Sequence, residues 1–265
     1  MVGLIGASCG SDDKAGDTTS AASTSTAVTA SPAAGQSEPA ISGDVTVFAA
    51  ASLTAAYTEI GDAFMAEHPD ANVTFDFGAS SDLVNQIDEG APADVFASAD
   101  QANMTKLIDA GANAGEPVVF ATNVLQIIVE PENPKGITGV ADLSRSDIVY
   151  VTCAPEVPIG KYSAQVLAAA GVTVTPASLE ENVKGIVTKV TLGEADAGIV
   201  YKTDVIAAGD KAQGIDIPDA INVTASYPVV VTKPARNADA AQAFVDFVVG
   251  EQGQKILRSD GFKAP

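Results

Sequence analysis

The chain has no tryptophan, a single histidine, two cysteines and only three arginines in 265 residues. Each scarcity removes a class of function. One histidine (His68, in the turn AEHPD) and two distant cysteines cannot build a four-ligand zinc site. The scattered Asp and Glu form no legible triad or dyad with them, so no catalytic residue is assigned. No apolar run reaches the ~20 residues of a membrane-spanning helix. Neither GxGxxG after the first strand nor GxxxxGK[ST] occurs, so nucleotide folds have no support. Cations are outnumbered, 14 Lys+Arg against 34 Asp+Glu, for a net charge of −20. Such a surface repels nucleic acid and anionic lipid. It also denies an anionic ligand any long-range attraction, so an anion here must be held by local dipoles.

What is present begins with a segment outside the fold. Residues 1–9 end in Gly6-Ala7-Ser8-Cys9, small residues running into a cysteine. Residues 10–43 are polar, aperiodic and rich in Ser, Thr and Ala, the composition of a disordered tether. The arrangement resembles the end of a bacterial lipoprotein signal. It implies that Cys9 carries lipid and anchors the protein to the outer face of the cell membrane. The other cysteine, Cys153, closes the apolar run Ile148–Cys153 and reads as a small buried residue.

From Val45 onward, strand-like and helical stretches alternate, which predicts an α/β fold with mainly parallel sheets. In VTVFAAASLTAAYTEI, Val45, Val47 and Phe48 open a buried strand, and Leu53, Ala56, Tyr57, Ile60 and Phe64 follow at helical spacing. Ser52 falls between them, where a helix N-cap is expected. The pattern recurs. Val73–Phe77 leads through Ser80 and Ser81 into a helix, and Pro158-Ile159-Gly160 opens another. Asn182 stands as the cap of a helix starting at Val183. Val118–Val129 is β-rich but interrupted by Thr122-Asn123, so it reads as two strands or one crossing strand. Ala197–Tyr201 and Tyr227–Thr232 are further strands. Converging helix N-termini bind an anion through unpaired N–H groups without any cationic side chain. Arg145, Arg236 and Arg258 lie outside these loops, and Lys161, on a first helical turn, reads as solvated.

The segments VTVFAAASLTAA, FGASSDL, GAPADVFASAD, PEVPIGKY, ENVKGIV and DAGIVY, in this order, resemble the molybdate-binding proteins of ABC importers. The resemblance runs from about Val45 to the C-terminal GFKAP. It implies a two-lobed type II periplasmic-binding-protein fold, each lobe a mainly parallel sheet flanked by helices. Two crossing strands, near Ala121–Val129 and Ala225–Val230, would join the lobes. Residues 44–122 and 228–265 would then form lobe 1, and residues 123–227 lobe 2. Carried over motif by motif, Ser52, Ser80 and Tyr201 would donate hydroxyls to the anion. Ile159 and Val183 would donate backbone N–H groups. Ser81 and Asn182 would stand just behind them. The implied protein is a monomeric receptor, not an enzyme, with no cofactor. Its ligand is molybdate or tungstate, and its partner is an ABC-type membrane permease.

A donor-only site suits a fully deprotonated tetrahedral dianion. Hydrogenphosphate would leave its own proton unpaired, at roughly 1–3 kcal/mol. Sulfate passes that test, so a same-fold receptor for sulfate or phosphate is the alternative reading, decided by cavity size. The tetrapyrrole-building deaminases share the architecture, but they need a reactive, cofactor-bearing cysteine and several cleft arginines, which this chain lacks.

Overall fold

The computed structural model describes residues 40–265. Cys9 and most of the tether lie outside the described residues. The chain joins the fold at β1 (Gly43–Ala50), which takes up Gly43, the last residue assigned above to the tether. β1 lies parallel to β2 (Ala71–Gly78) on one side and β3 (Val95–Ala97) on the other. Between them run α1 (Thr54–Glu67) and α2 (Ser80–Asp88), and α3 (Gln101–Asp109) follows β3. The periodic residues of α1 are the ones buried: Ala56, Tyr57, Ile60 and Phe64. Tyr57 packs on Phe75, Phe120 and Phe244, and Phe64 on Phe244, in an aromatic cluster of edge-on and tilted rings.

β4 (Val118–Val129) is one strand of 12 residues, with an irregularity between Val119 and Ala121. Its first part pairs with β9 (Thr224–Val231) as far as Val124. From Leu125 it pairs instead with β7 (Ala197–Tyr201), and alongside with β8 (Gln213–Asp216). β4 is thus shared by two sheets. The second sheet continues from β7 to β5 (Tyr150–Cys153) and β6 (Ser178–Glu180), all three parallel. Its helices are α4 (Pro158–Ala169), α5 (Val183–Thr191) and α6 (Lys202–Ala208). The chain returns along β9 to the first sheet, where β9 pairs with β3, and ends in α7 (Ala238–Val249) and α8 (Glu251–Ser259). Each lobe is therefore three parallel strands closed by antiparallel crossing strands, the two-lobed arrangement of the type II binding proteins.

Among the described residues no helix is long and apolar enough to cross a membrane, and no group of three or more His, Cys, Asp or Glu is placed to hold a metal ion. Cys153 is free and buried, and burial pushes its thiol up to about 12. It is packing, not a nucleophile.

Candidate anion-binding site

Four junctions between strands and helices meet at one cavity. β1 passes into a tight 3-10 turn, Ala51–Leu53, before α1. β2 turns at Ala79 into α2, β5 leads to Val157 and α4, and Asn182 precedes α5. Together with Tyr201 at the end of β7, these junctions line the cavity through Ala50, Ala51, Ser52, Gly78, Ala79, Ser80, Ala99, Val157, Pro158, Ile159, Asn182, Val183 and Tyr201. All five proposed ligands and Asn182 are in its wall. Ser81 is not: it is buried, and its hydroxyl donates to Asp82 at 3.3 Å.

The expected role of Ser52 as an N-cap is corrected. Ser52 lies inside the 3-10 turn and caps no helix, because the chain tightens one turn before α1 starts. Its hydroxyl oxygen instead lies 3.1 Å from that of Tyr227. The first two helix starts of the first lobe and that of α4 have no side-chain cap. The N–H groups of Ser52, Ser80, Ile159 and Val183 take no partner among the loop and cap hydrogen bonds. Helix starts leave such donors over by construction, and here they are left to the cavity. α5 does have a cap, as read from the sequence: Asn182 accepts from the Lys184 N–H at 2.9 Å, which leaves the Val183 N–H uncommitted.

The hydroxyls are arranged in the same sense. Ser80 Oγ accepts from the Ala99 N–H at 3.0 Å, so its own hydrogen is free to be donated. The Tyr201 hydroxyl is buried without a partner, and burial pushes its pKa well above the usual tyrosine range. It is a neutral donor at any physiological pH. A buried hydroxyl without a partner costs about 1–3 kcal/mol, which a ligand oxygen would recover.

None of the thirteen wall residues carries a charge. The cavity is small, about 20 Å³ where a single water needs about 10–15 Å³, which suits a small ion.

Charged groups stand one step behind the wall. The Lys161 side chain stays largely solvated, and its ammonium lies 3.7 Å from Asp100, whose carboxylate is buried and caps α3. A buried carboxylate so close to an anion site needs a counter-charge, and Lys161 supplies it across the cleft. Lys184 and the buried Asp204 pair at 2.9 Å, and Asp204 also accepts from the Tyr201 N–H. This pair ties the start of α5 to the end of β7. Burial raises the Asp204 pKa, and Lys184 pulls it back. Tyr227, Asn123 and these two ion pairs were not singled out by sequence reasoning. Their partners lie up to 175 positions away, and only the burial of Tyr227 in a strand hinted that its hydroxyl must be satisfied.

A two-lobed α/β protein with an uncharged, donor-lined cavity between its lobes has the form of an extracytoplasmic solute-binding receptor. The chain belongs to the family of bacterial extracellular solute-binding proteins, whose profile matches residues 45–263. It is 41% identical over 221 residues to the molybdate-binding protein ModA of Mycobacterium tuberculosis, covering 83% of this chain and 85% of that protein. Among solved structures it resembles the periplasmic molybdate-binding protein of Azotobacter vinelandii, with TM-score 0.72 and 23% identity over 83% of this chain and 99% of that one. It also resembles the sulfate-binding protein SubI of Mycobacterium tuberculosis, with TM-score 0.76 and 22% identity over 83% and 86%. These two structural likenesses bear on the fold alone. The family's members are receptors, not enzymes.

Proposed function

We propose that this chain captures molybdate, and tungstate with it, between its lobes and delivers it to an ABC-type membrane permease. The observation that carries the reading is the cavity wall. It has hydroxyl and N–H donors from both lobes, no charged side chain, and a volume that suits a small ion. Two of its acceptors are spent internally, Ser80 Oγ on the Ala99 N–H and Asn182 Oδ1 on the Lys184 N–H. Ser52, Ser80 and Tyr201 are assigned the hydroxyl contacts, and Ile159 and Val183 the backbone contacts. The 41% identity to a protein named for molybdate supports the choice of anion. The receptor acts as a monomer, held at the outer face of the cell membrane by lipid on Cys9. Partitioning of the intact protein with membranes, lost in Cys9→Ser, tests the anchor; partitioning that survives the substitution rules it out.

Calorimetry with molybdate, tungstate, sulfate and phosphate in turn tests the ligand. Molybdate and tungstate should bind tightly, with sulfate weaker by at least about 100-fold, or roughly 2.7 kcal/mol. Sulfate meets the same donors on the same terms, so equal affinity for it would move the assignment to the smaller anion.

A further inference from the structure

The two flanks of the cleft are closed in different ways. On one flank the start of α4 meets the turn that follows β3. Lys161 Nζ lies 3.7 Å from Asp100 Oδ2, and the Tyr162 hydroxyl donates to the Ala99 carbonyl at 3.5 Å. Away from the crossing strands, these two are the polar side-chain contacts that pass from lobe to lobe among the described residues. On the other flank the lobes stand apart around a second cavity of about 160 Å³. Ala55, Asp260 and Phe262 line it from the first lobe, and Lys184, Thr203 and Ile206 from the second. Lys184 is paired there within its own lobe, with Asp204, and Asp260 Oδ2 has no partner.

Both sides of the closed flank are stiff, and both are tied to the anion cavity. A Cβ at Gly160 would lie 2.1 Å from the Ala154 carbonyl oxygen, so α4 is seated directly on the chain leaving β5. Ile159, Lys161 and Tyr162 therefore move as one body, and Ile159 lines the cavity. Opposite them, the Ala99 N–H donates to Ser80 Oγ at 3.0 Å, and Ala99 and Ser80 line the same cavity. Asp100 spends Oδ1 on the Asn103 N–H at 3.0 Å and on the Asn103 side-chain amide at 2.9 Å. Its Oδ2 is left to face Lys161. The Asp100 side chain is 2% exposed and that of Lys161 40%. With the lobes together, a carboxylate stripped of water has its counter-charge on the opposite lobe. With the lobes apart, water takes over that role. The pair therefore stabilises the closed form alone, and a contact made only after closure acts on the rate of release.

We infer that the start of α4 is a one-sided latch, Lys161 closing on Asp100 and Tyr162 on the Ala99 carbonyl, which sets how long the anion is retained. Lys161 and Tyr162 are positioning residues: neither lines the cavity. The inference rests on the reading of the cavity as an oxyanion site. It adds that release is governed on the α3–α4 flank, by groups that do not touch the ligand.

The test is stopped-flow displacement of molybdate from wild type, Lys161→Met, Asp100→Asn and the double variant. Lys161→Met keeps an unbranched stem and removes the charge. Asp100→Asn keeps an oxygen to cap α3. Lys161→Met should release molybdate about 5- to 20-fold faster, between the scales of exposed and buried ion pairs, with association changed less than about twofold. In the Asp100→Asn background the same substitution should change release by less than about twofold. A lysine that only attracts the dianion through space would speed release equally in both backgrounds. That result overturns the latch, and so does unchanged release in Lys161→Met. Tyr162→Phe alters no charge and should speed release about 2- to 5-fold, the scale of a weak neutral hydrogen bond. It decides the matter if Asp100→Asn does not melt cooperatively, and unchanged release there overturns the latch. Wild type that binds no molybdate removes the oxyanion reading itself, and the latch with it. Wild type that binds molybdate, with the effect of Lys161→Met independent of Asp100, removes the latch alone.

Discussion

In the first lobe the cavity meets side chains: Ser52 and Ser80 present hydroxyls from the ends of β1 and β2. In the second lobe it meets mostly backbone. Ile159 and Val183 are 1% and 3% exposed, their side chains belong to the apolar core, and only their N–H groups suit an anion. Tyr201 is the second lobe's one hydroxyl. The two halves reach the same end by chemistry of different visibility. A hydroxyl can be deleted by a side-chain truncation, whereas a backbone donor survives every side-chain change short of proline.

This contrast can be broken from either side. The largest effect is expected from Gly160→Ala. A Cβ at Gly160 would lie 2.1 Å from the Ala154 carbonyl oxygen and 2.5 Å from that of Cys153, and both are backbone. The start of α4 must shift, taking the Ile159 N–H with it. We expect about 1–3 kcal/mol of lost stability in thermal melts and at least about 100-fold weaker molybdate binding, about 2.7 kcal/mol. Retained affinity would mean that Ile159 contributes no donor.

Next come Ser52→Ala and Ser80→Ala. Hydrogen bonds to a charged group are worth about 1.5–3 kcal/mol, so each should cost about 10- to 150-fold in a molybdate titration. Tyr201→Phe should cost a similar amount and act mainly on the dissociation rate, because its donor comes from the opposite lobe. A stopped-flow measurement showing only a slower association would contradict that.

The smallest effects sharpen the comparison. Ile159→Val keeps the N–H and should leave affinity within about threefold, while stability falls by about 0.5–1.5 kcal/mol. Arg145→Ala, Arg236→Ala and Arg258→Ala should also stay within about threefold, since exposed charges away from the cavity are screened by salt. Loss of binding in an arginine variant, with Ser52→Ala and Ser80→Ala unaffected, would mean that charge rather than neutral donors holds the ligand.

The same contrast explains what could be read from the residues alone. The alternation of strands and helices was legible because β1, β5 and β7 are largely apolar and α1 is periodic. The strands β6 and β8 were missed: SLE and QGID are short and largely polar, and they form only because a neighbouring strand offers an edge. The interruption at Thr122-Asn123 left β4 open between one strand and two. It is one, and the buried Asn123 is tolerated there because Val124 and Thr203 satisfy its amide. Local patterns suggested Ser52, Ser80 and Asn182 as cap-like residues. Ile159, Val183 and Tyr201 rested on family resemblance, since a backbone donor leaves no mark in side-chain chemistry. For Tyr227 only its place in a buried strand said that the hydroxyl needs a partner, and that partner, Ser52, lies 175 positions away.

One feature of the sheet governs the order in which the molecule can be made. β9 lies between β3 and β4. β3 and β4 are consecutive in the chain, yet they never pair with each other. As a nascent chain leaves the ribosome, β1 to β4 emerge with an empty slot between two of them. The strand that fills it appears only after the whole second lobe. The first lobe therefore cannot close early. Until Thr224–Val231 is synthesised, the apolar edge of β3 stays open, and such late, long-range pairing is slow and exposed to aggregation. Pulse-labelled hydrogen exchange during refolding should find the amides of β5 and β7 protected before those of β3. The reverse order would mean that the slot closes without its strand.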